Sequence, residues 1–306
     1  QEELAEERDA LQKVLGSAAR LKTMIRKEIA DDMEKYGDDR RTRIIERPAA
    51  QAIDETQLIS SEPMTVILSK RGWARGAKGH EIDPASLGYK SGDEYLGVSK
   101  GRSNQQVVFL DSTGRTYSLQ AHTLPSARSQ GEPLSGRFNA PDGASFAGVL
   151  IADPDDLWLM ASDYGYGFIV KYGDLLSRNR AGKVVLKPPV DSVVLPPARV
   201  PAGEGNWVVA ATSEGYLLTF PMAELPQLSR GKGNKIINIP SKRLKSGQEK
   251  VVSVAVIGPE NKLVVFSGQR HMRLGYHELE QYEGNRGKRG SLLPRGYRKV
   301  DRLAVE

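Results

Sequence analysis

The sequence predicts an all-β fold of about five four-stranded, propeller-like blades, preceded by one long N-terminal α-helix. Three observations predict it. A local pattern returns roughly every fifty residues over the last four-fifths of the chain. Glycine (31 residues) and proline (17) interrupt the apolar runs there at short intervals, as short strands and tight turns require. The opening segment alone carries a helical period, with no proline. With 306 residues the chain has room for one large repeat domain and an extension.

The extension comes first. Leu4, Leu11, Leu15, Ala18, Leu21, Ile25, Ile29 and Met33 fall three, four or seven apart, so residues 1–36 read as one amphipathic helix. Lys35 lies in its last turn, and Gly37 stands where a left-handed cap belongs. A single apolar stripe on so long a helix needs a second helix to cover it. A partner helix of the same protein is expected in preference to a self-contained dimeric coil. The missing initiator Met agrees with a piece of a longer chain. Residues 37–60 form a polar linker, in which Ile44-Ile45 is a candidate edge strand and Pro48 argues against a central one.

The blades occupy residues 61–306. Each copy of the repeat has an apolar run, a small polar turn, and a second run that starts basic or aromatic. Val107-Val108-Phe109-Leu110 precedes the turn at Ser112-Thr113-Gly114, and Leu157-Trp158-Leu159-Met160 the turn at Ser162-Asp163-Tyr164-Gly165. Trp207-Val208-Val209-Ala210 and Leu263-Val264-Val265-Phe266 open two more copies, and Thr65-Val66-Ile67-Leu68 the first. A second glycine follows most turns, with Lys or Arg beside it: Gly79, Gly136, Gly182, Gly233 and Gly290, at steps of 57, 46, 51 and 57. Later apolar runs, Ser192-Val193-Val194-Leu195 and Val251–Ile257 among them, complete four strands per unit.

Charge is uneven. Residues 1–36 carry a net −2 and 37–60 a net −1, so the blades carry +9 of the chain's +6 total. An anionic partner is expected for them. There is no cysteine, which excludes disulfides, thiol catalysis and zinc–thiolate sites and fits a cytoplasmic protein. No apolar stretch reaches the length of a membrane span, and the first residues lack the form of a signal peptide.

Two stretches resemble the C-terminal part of the A subunit of bacterial type IIA DNA topoisomerases, of the topoisomerase IV type rather than gyrase. One runs from Leu21-Lys22-Thr23-Met24-Ile25-Arg26-Lys27-Glu28-Ile29 to Lys35-Tyr36-Gly37-Asp38-Asp39-Arg40-Arg41-Thr42. It is similar to the end of the coiled-coil arm of that family's DNA-cleaving core. The other is the set of five basic repeats, similar to the family's β-pinwheel, in which neighbouring blades exchange strands. The resemblance implies that duplex DNA bends around the rim; with no helix expected to read a major groove, sequence specificity is expected to be weak. It implies that the catalytic tyrosine, ATP and Mg²⁺ act elsewhere in the whole enzyme, with no cofactor here. Expected partners are the enzyme's own catalytic core and its ATPase subunit, in a chromosome-associated protein. The Gln-Arg-Arg-Gly-Gly-Lys-Gly box of gyrase is matched only in part, by Arg178-Asn179-Arg180-Ala181-Gly182-Lys183, Ser229-Arg230-Gly231-Lys232-Gly233 and Asn285-Arg286-Gly287-Lys288-Arg289-Gly290. Relaxation and decatenation therefore fit better than tight wrapping.

The candidate DNA contacts are the basic loops. Lys70, Arg71, Arg75 and Lys78 come from the first unit, Arg128 and Arg137 from the second, and Arg178, Arg180 and Lys183 from the third. Arg230, Lys232, Lys235, Lys242 and Arg243 lie in a stretch with no acid between Glu224 and Glu249, and Arg286, Lys288 and Arg289 follow. Interleaved glycines let backbone N–H groups approach phosphates. Few aromatics accompany these loops, which favours duplex backbone over stacked single strands. One such loop is ordinarily a solvated surface; five in phase on a curved surface make a track.

Other groups carry less. His80, His122, His271 and His277 lack a metal-site pattern, and Asp153-Pro154-Asp155-Asp156 reads as a solvated turn. Gly165-Tyr166-Gly167 and Gly231-Lys232-Gly233 complete no nucleotide-binding motif. Tyr117, Tyr164, Tyr166 and Tyr216 have packing as their default role. The competing functions are a protein-interaction propeller and, with no convergent acid–base pair to support it, a propeller enzyme.

Overall fold

The computed structural model describes residues 1–39, 42 and 60–306. It separates into two units, Gln1–Ile53 and Asp54–Glu306. The expectations for Ile44, Ile45 and Pro48, and for Arg40 and Arg41, lie outside the described residues.

The first unit is helical, but in two pieces, α1 (Glu2–Leu15) and α2 (Ala18–Tyr36). The expected single helix breaks at Gly16-Ser17. Gly16 keeps right-handed angles, while Ser17 swings to φ −142°, ψ 111°. Glycine in a helix interior costs about 1 kcal/mol against alanine, and serine favours the extended cap conformation. Gly37 is likewise not left-handed: it is extended at φ −68°, ψ 135°, although its N–H still reaches the Met33 carbonyl at 2.9 Å. Neither helix buries a residue, and Leu4, Leu11, Leu15, Leu21, Ile25, Ile29 and Met33 stand exposed.

The second unit is five antiparallel sheets, each built on a hairpin. The hairpins are Pro63–Ser69 with Trp73–Lys78, Gln106–Asp111 with Arg115–Gln120, Leu157–Ala161 with Tyr166–Lys171, Trp207–Thr212 with Tyr216–Pro221, and Lys262–Ser267 with Arg270–Gly275. A third strand flanks the first of each pair: Tyr95–Arg102, Phe146–Ile151, Ala198–Arg199, Val251–Ile257 and Arg302–Val305. A fourth flanks the second: Glu132–Pro133, Lys183–Val184, Asn234–Lys235 and Ser291–Leu292 in blades 1 to 4. Each fourth strand is donated by chain that has already made the hairpin of the next blade. The fifth sheet has three strands among the described residues.

The near-continuous apolar runs follow from this arrangement. Side chains alternate along a strand, and both faces of blades 2 to 4 are covered by neighbours. Val107 and Phe109 pack with Val66 and Leu68 of blade 1, whereas Val108 and Leu110 pack with Trp158 and Met160 of blade 3. Leu159 and Ala161 meet Val208 and Ala210, and Val209 and Ala211 meet Leu263 and Val265. Four apolar layers thus join the five blades in sequence.

The repeat differs from its predicted phase in one respect. The glycines before the donated strands are Gly131, Gly182, Gly233 and Gly290, at steps of 51, 51 and 57. Gly79 instead ends the first hairpin, accepting the Thr65 hydroxyl at 2.6 Å, and Gly136 sits in open space. Gly233 shows why glycine is needed: φ is +75°, and a Cβ would fall on the Gly167 carbonyl of the strand it joins. The expected strand Ser192–Leu195 makes only a bridge between Val194 and Ser162, and Ala198–Arg199 does the pairing.

Candidate nucleic-acid interface

Turn chemistry locks each hairpin to the strand it receives. The first turn residue is buried and polar: Ser69 Oγ accepts the Trp73 N–H at 3.0 Å, Asp111 Oδ1 those of Thr113 and Arg115 at 2.9 Å, and Thr212 Oγ1 that of Tyr216 at 3.2 Å. The carbonyls of Gly72, Gly114, Gly165 and Gly215 take the N–H groups of Leu134, Leu186, Ile236 and Leu293, at 2.7–3.0 Å. The apolar residue after each donated strand is therefore pinned to a turn, and the basic loop beside it is fixed in place.

The basic loops are also bonded to one another. Arg180 donates from Nε to the Arg137 carbonyl and from Nη2 to that of Gly136, both at 2.8 Å, and Asn139 N–H returns to the Arg180 carbonyl. Lys187 N–H reaches the Gly231 carbonyl, and Gly231 N–H that of Val185, both at 2.8 Å. Asn238 N–H meets the Lys288 carbonyl, Gly287 N–H that of Ile236, and Arg286 Nη1 that of Lys235 at 2.9 Å. Segments 136–139, 180–187, 230–238 and 286–288 thus link in three neighbouring pairs along the chain.

The predicted cations divide into two groups. Arg75 is buried, bonded to the Ser129 carbonyl at 2.9 Å and stacked on Tyr89 at 4.7 Å, so it does not face solvent as expected. Its place inside a packed strand explains this. Lys183 Nζ donates to the Asp174 carbonyl at 2.6 Å. Lys235 Nζ donates to the Tyr164 carbonyl at 3.1 Å and lies 4.4 Å from the Tyr166 ring centre. Burial, with the charge of Lys232, lowers its pKa. Arg289 donates to the fully buried Glu249 at 2.6 Å and stacks on Tyr216 at 3.8 Å; Arg243 reaches Glu249 and Glu214, each at 3.4 Å.

Arg128, Arg178, Arg230, Lys232, Lys242 and Lys288 form the other group, exposed and without an ion pair among the described residues. Lys70, Lys78 and Arg137 are exposed but paired, with Glu94 at 2.6 Å, Glu62 at 3.1 Å and Glu132 at 2.9 Å. Arg71 donates to the Ser91 carbonyl at 3.3 Å. Lys78 closes its strand at the end far from the Lys70-Arg71 turn, so the structure does not bring these together.

Sequence reasoning missed Glu249 and the role of the rings. Trp73, Tyr166 and Tyr216 each follow a turn glycine, and each carries a cation: Lys90 at 3.5 Å, Lys232 at 3.9 Å and Arg289 at 3.8 Å. The glycine–aromatic step was the available signal. Asp155 and Asp156 pair with Lys171 at 3.2 Å and Arg199 at 3.0 Å, and His277 lies 3.1 Å from Glu280.

Comparison with known proteins places this geometry. The model of the DNA gyrase C-terminal domain, beta-propeller, matches residues 206–257. The chain is 52% identical over its whole length to the A subunit of DNA topoisomerase 4 from Pseudomonas aeruginosa, and 45% to that from Escherichia coli K12. It spans 41% and 40% of those proteins. The solved E. coli ParC C-terminal domain is 46% identical, with a TM-score of 0.69 over 80% of this chain and 99% of that one. A solved C-terminal domain of DNA topoisomerase IV, 17% identical with a TM-score of 0.62 over 81% of this chain and 79% of that one, shares the fold. No helix among the described residues is long and apolar enough to cross a membrane. With its strand-exchanged blades and this relationship, the chain belongs to the C-terminal domains of topoisomerase IV A subunits, β-pinwheels of the gyrase A type.

Proposed function

We propose that the pinwheel binds and bends duplex DNA along its basic loops. In doing so it steers a segment to the enzyme's own catalytic core for ATP-dependent decatenation and supercoil relaxation. The observation that supports this reading is the bonding of neighbouring basic loops, which puts three of the free cations, Arg230, Lys232 and Lys288, on linked segments of successive blades. ATP and Mg²⁺ act in the rest of the enzyme and its ATPase subunit. The phosphate backbone supplies the affinity: six free cations, each taking one phosphate, give a slope of log affinity on log salt of roughly −5. Bending 20–30 base pairs by 40–90° costs about 1–6 kcal/mol, which these contacts offset. The α-helices among the described residues of the pinwheel are four and five residues long, too short to read a major groove, so sequence preference is weak.

The test is an electrophoretic titration between 50 and 200 mM salt. Reversing Arg178, Arg230, Lys232 and Lys288 to Glu is expected to flatten the slope by about 0.9 for each phosphate no longer neutralised. Wild-type binding without salt dependence would sink the reading. A second reading, a protein-interaction scaffold, is favoured by the edge of strand Arg270–Gly275, which receives no fourth strand among the described residues. It predicts that the four reversals leave DNA handling unchanged.

A further inference from the structure

The loops that follow the donated strands hold their apolar residues inward in every blade but one. Phe138, Ile239 and Val300 are buried, and Leu244 and Tyr297 pack on core clusters. The loop from Lys187 to Val193 does the opposite. Val190 is 84% exposed and Val193 52%, more than any other large apolar side chain of the pinwheel. Exposure of this kind sets one loop apart from its three equivalents; isolated exposed valines are ordinary, so its meaning depends on how the loop is held and what surrounds it.

The loop is held rigidly. Its outgoing arm is tied where Lys187 N–H meets the Gly231 carbonyl at 2.8 Å. Its returning arm is tied to the buried Asp163, whose Oδ1 accepts the Val193 N–H and the Ser192 hydroxyl, both at 2.7 Å. Asp163 N–H bonds back to the Val193 carbonyl at 2.9 Å. Between the arms, Pro188-Pro189 restricts the backbone, and Ser192 N–H closes on the Pro189 carbonyl at 3.1 Å. Asp191 turns the tip at φ +62°, a left-handed angle that no other non-glycine residue among those described adopts.

The tip also has a defined setting. Gly231, its anchor, lies between Arg230 and Lys232, two of the free cations, and Lys187 adds a third exposed one. One exposed acid, Asp191, opposes them. A stiff apolar tip on a loop whose base carries exposed cations matches a polyanion with an apolar interior. That is duplex DNA, whose base steps lie beneath a phosphate shell.

We propose that Pro189-Val190 is a wedge that enters the base stack of DNA held by the neighbouring cations, and so places the bend at the junction of blades 2 and 3. The proposal rests on the DNA-binding reading above. Apolar side chains pushed between base steps kink duplexes in this way. Valine is short, so it opens a step only in part. Steps that unstack easily, pyrimidine–purine or mismatched, are favoured.

The test compares the 306-residue chain with its Val190→Ser variant. Binding and bend are read by energy transfer across end-labelled duplexes of about 30 base pairs, intact or with a central tandem mismatch. The wild-type chain is expected to bind the mismatched duplex about tenfold tighter, because the unstacking cost is already met. Val190→Ser changes an exposed side chain, so the melting midpoint and salt slope stay the same. The mismatch preference falls to within about twofold, and the bend of the intact duplex shrinks. A variant that keeps both preference and bend, or a wild-type chain without the preference, overturns the wedge while leaving the salt slope intact. Loss of the salt slope in the wild-type chain overturns the DNA reading itself. If Val190→Ser leaves DNA behaviour unchanged but weakens association with the remainder of the topoisomerase, the tip is a protein contact and the wedge is wrong.

Discussion

Single residues set the geometry on which the rim depends. Gly233→Ala would force a left-handed alanine, costing about 1–3 kcal/mol, and would also drive a Cβ into the Gly167 carbonyl. Gly247 is equally left-handed at φ +71° but has open space around it, so Gly247→Ala is expected to cost only about 1–2 kcal/mol. Chemical denaturation should rank the two in that order. Asp93 permits a second prediction. Burial alone would raise its pKa, but hydrogen bonds from Ser69, Arg71 and Glu94 and the Arg71 charge lower it. A carboxylate with a lowered folded value contributes stability above its unfolded value of about 3.9, and the contribution is lost as pH falls through the folded value. The stability gap between wild type and Asp93→Asn is therefore expected at pH 7 and should close in the acid range below about 4. A pH series of melting curves checks it.

At the scale of strands and loops, the division of the cations is the main result. Arg180, Arg286 and Arg289 hold loops together, whereas Arg178, Arg230 and Lys288 face solvent. Arg289→Ala leaves the buried Glu249 with a weaker partner, a change that costs about 3–5 kcal/mol where such pairs are fully enclosed. A loss of melting temperature is expected, with DNA affinity falling as a consequence. Lys288→Ala should weaken DNA binding and leave the melting temperature unchanged. A melting curve and a titration on each variant separate the two roles. Sequence alone could not make this division, because Arg178 and Arg180 occupy the same basic run and differ only in what lies opposite. The hairpins were legible, since their apolar runs are long and their turns carry glycine. The donated strands were not, since two residues such as Asn234-Lys235 have no period to detect. The helix break was similarly hidden: Gly16 and Ser17 are small enough to leave the apolar stripe apparently unbroken.

Over the whole pinwheel, order in the chain and order in space do not coincide. Blade 4 receives Ser291–Leu292 only after blade 5 has formed its hairpin. A chain ending after Tyr282 is expected to lose amide protection along Tyr216–Pro221, although that strand is itself intact; hydrogen exchange resolved by peptide reads this directly. The same chain keeps the tie between Tyr166–Lys171 and Asn234–Lys235, so protection there should survive.

Strand exchange also sets a timetable for synthesis. A hairpin leaving the ribosome is not a finished blade, because its fourth strand lies 54 to 70 residues further on, roughly 3–14 s at ordinary translation rates. Through that interval each newly made blade presents an open edge. Blade 5 keeps such an edge, at Arg270–Gly275, among the described residues. Arg270, His271 and Arg273 lie along it, and charge on an exposed strand is how a nascent or finished edge avoids pairing with its neighbours on a crowded polysome.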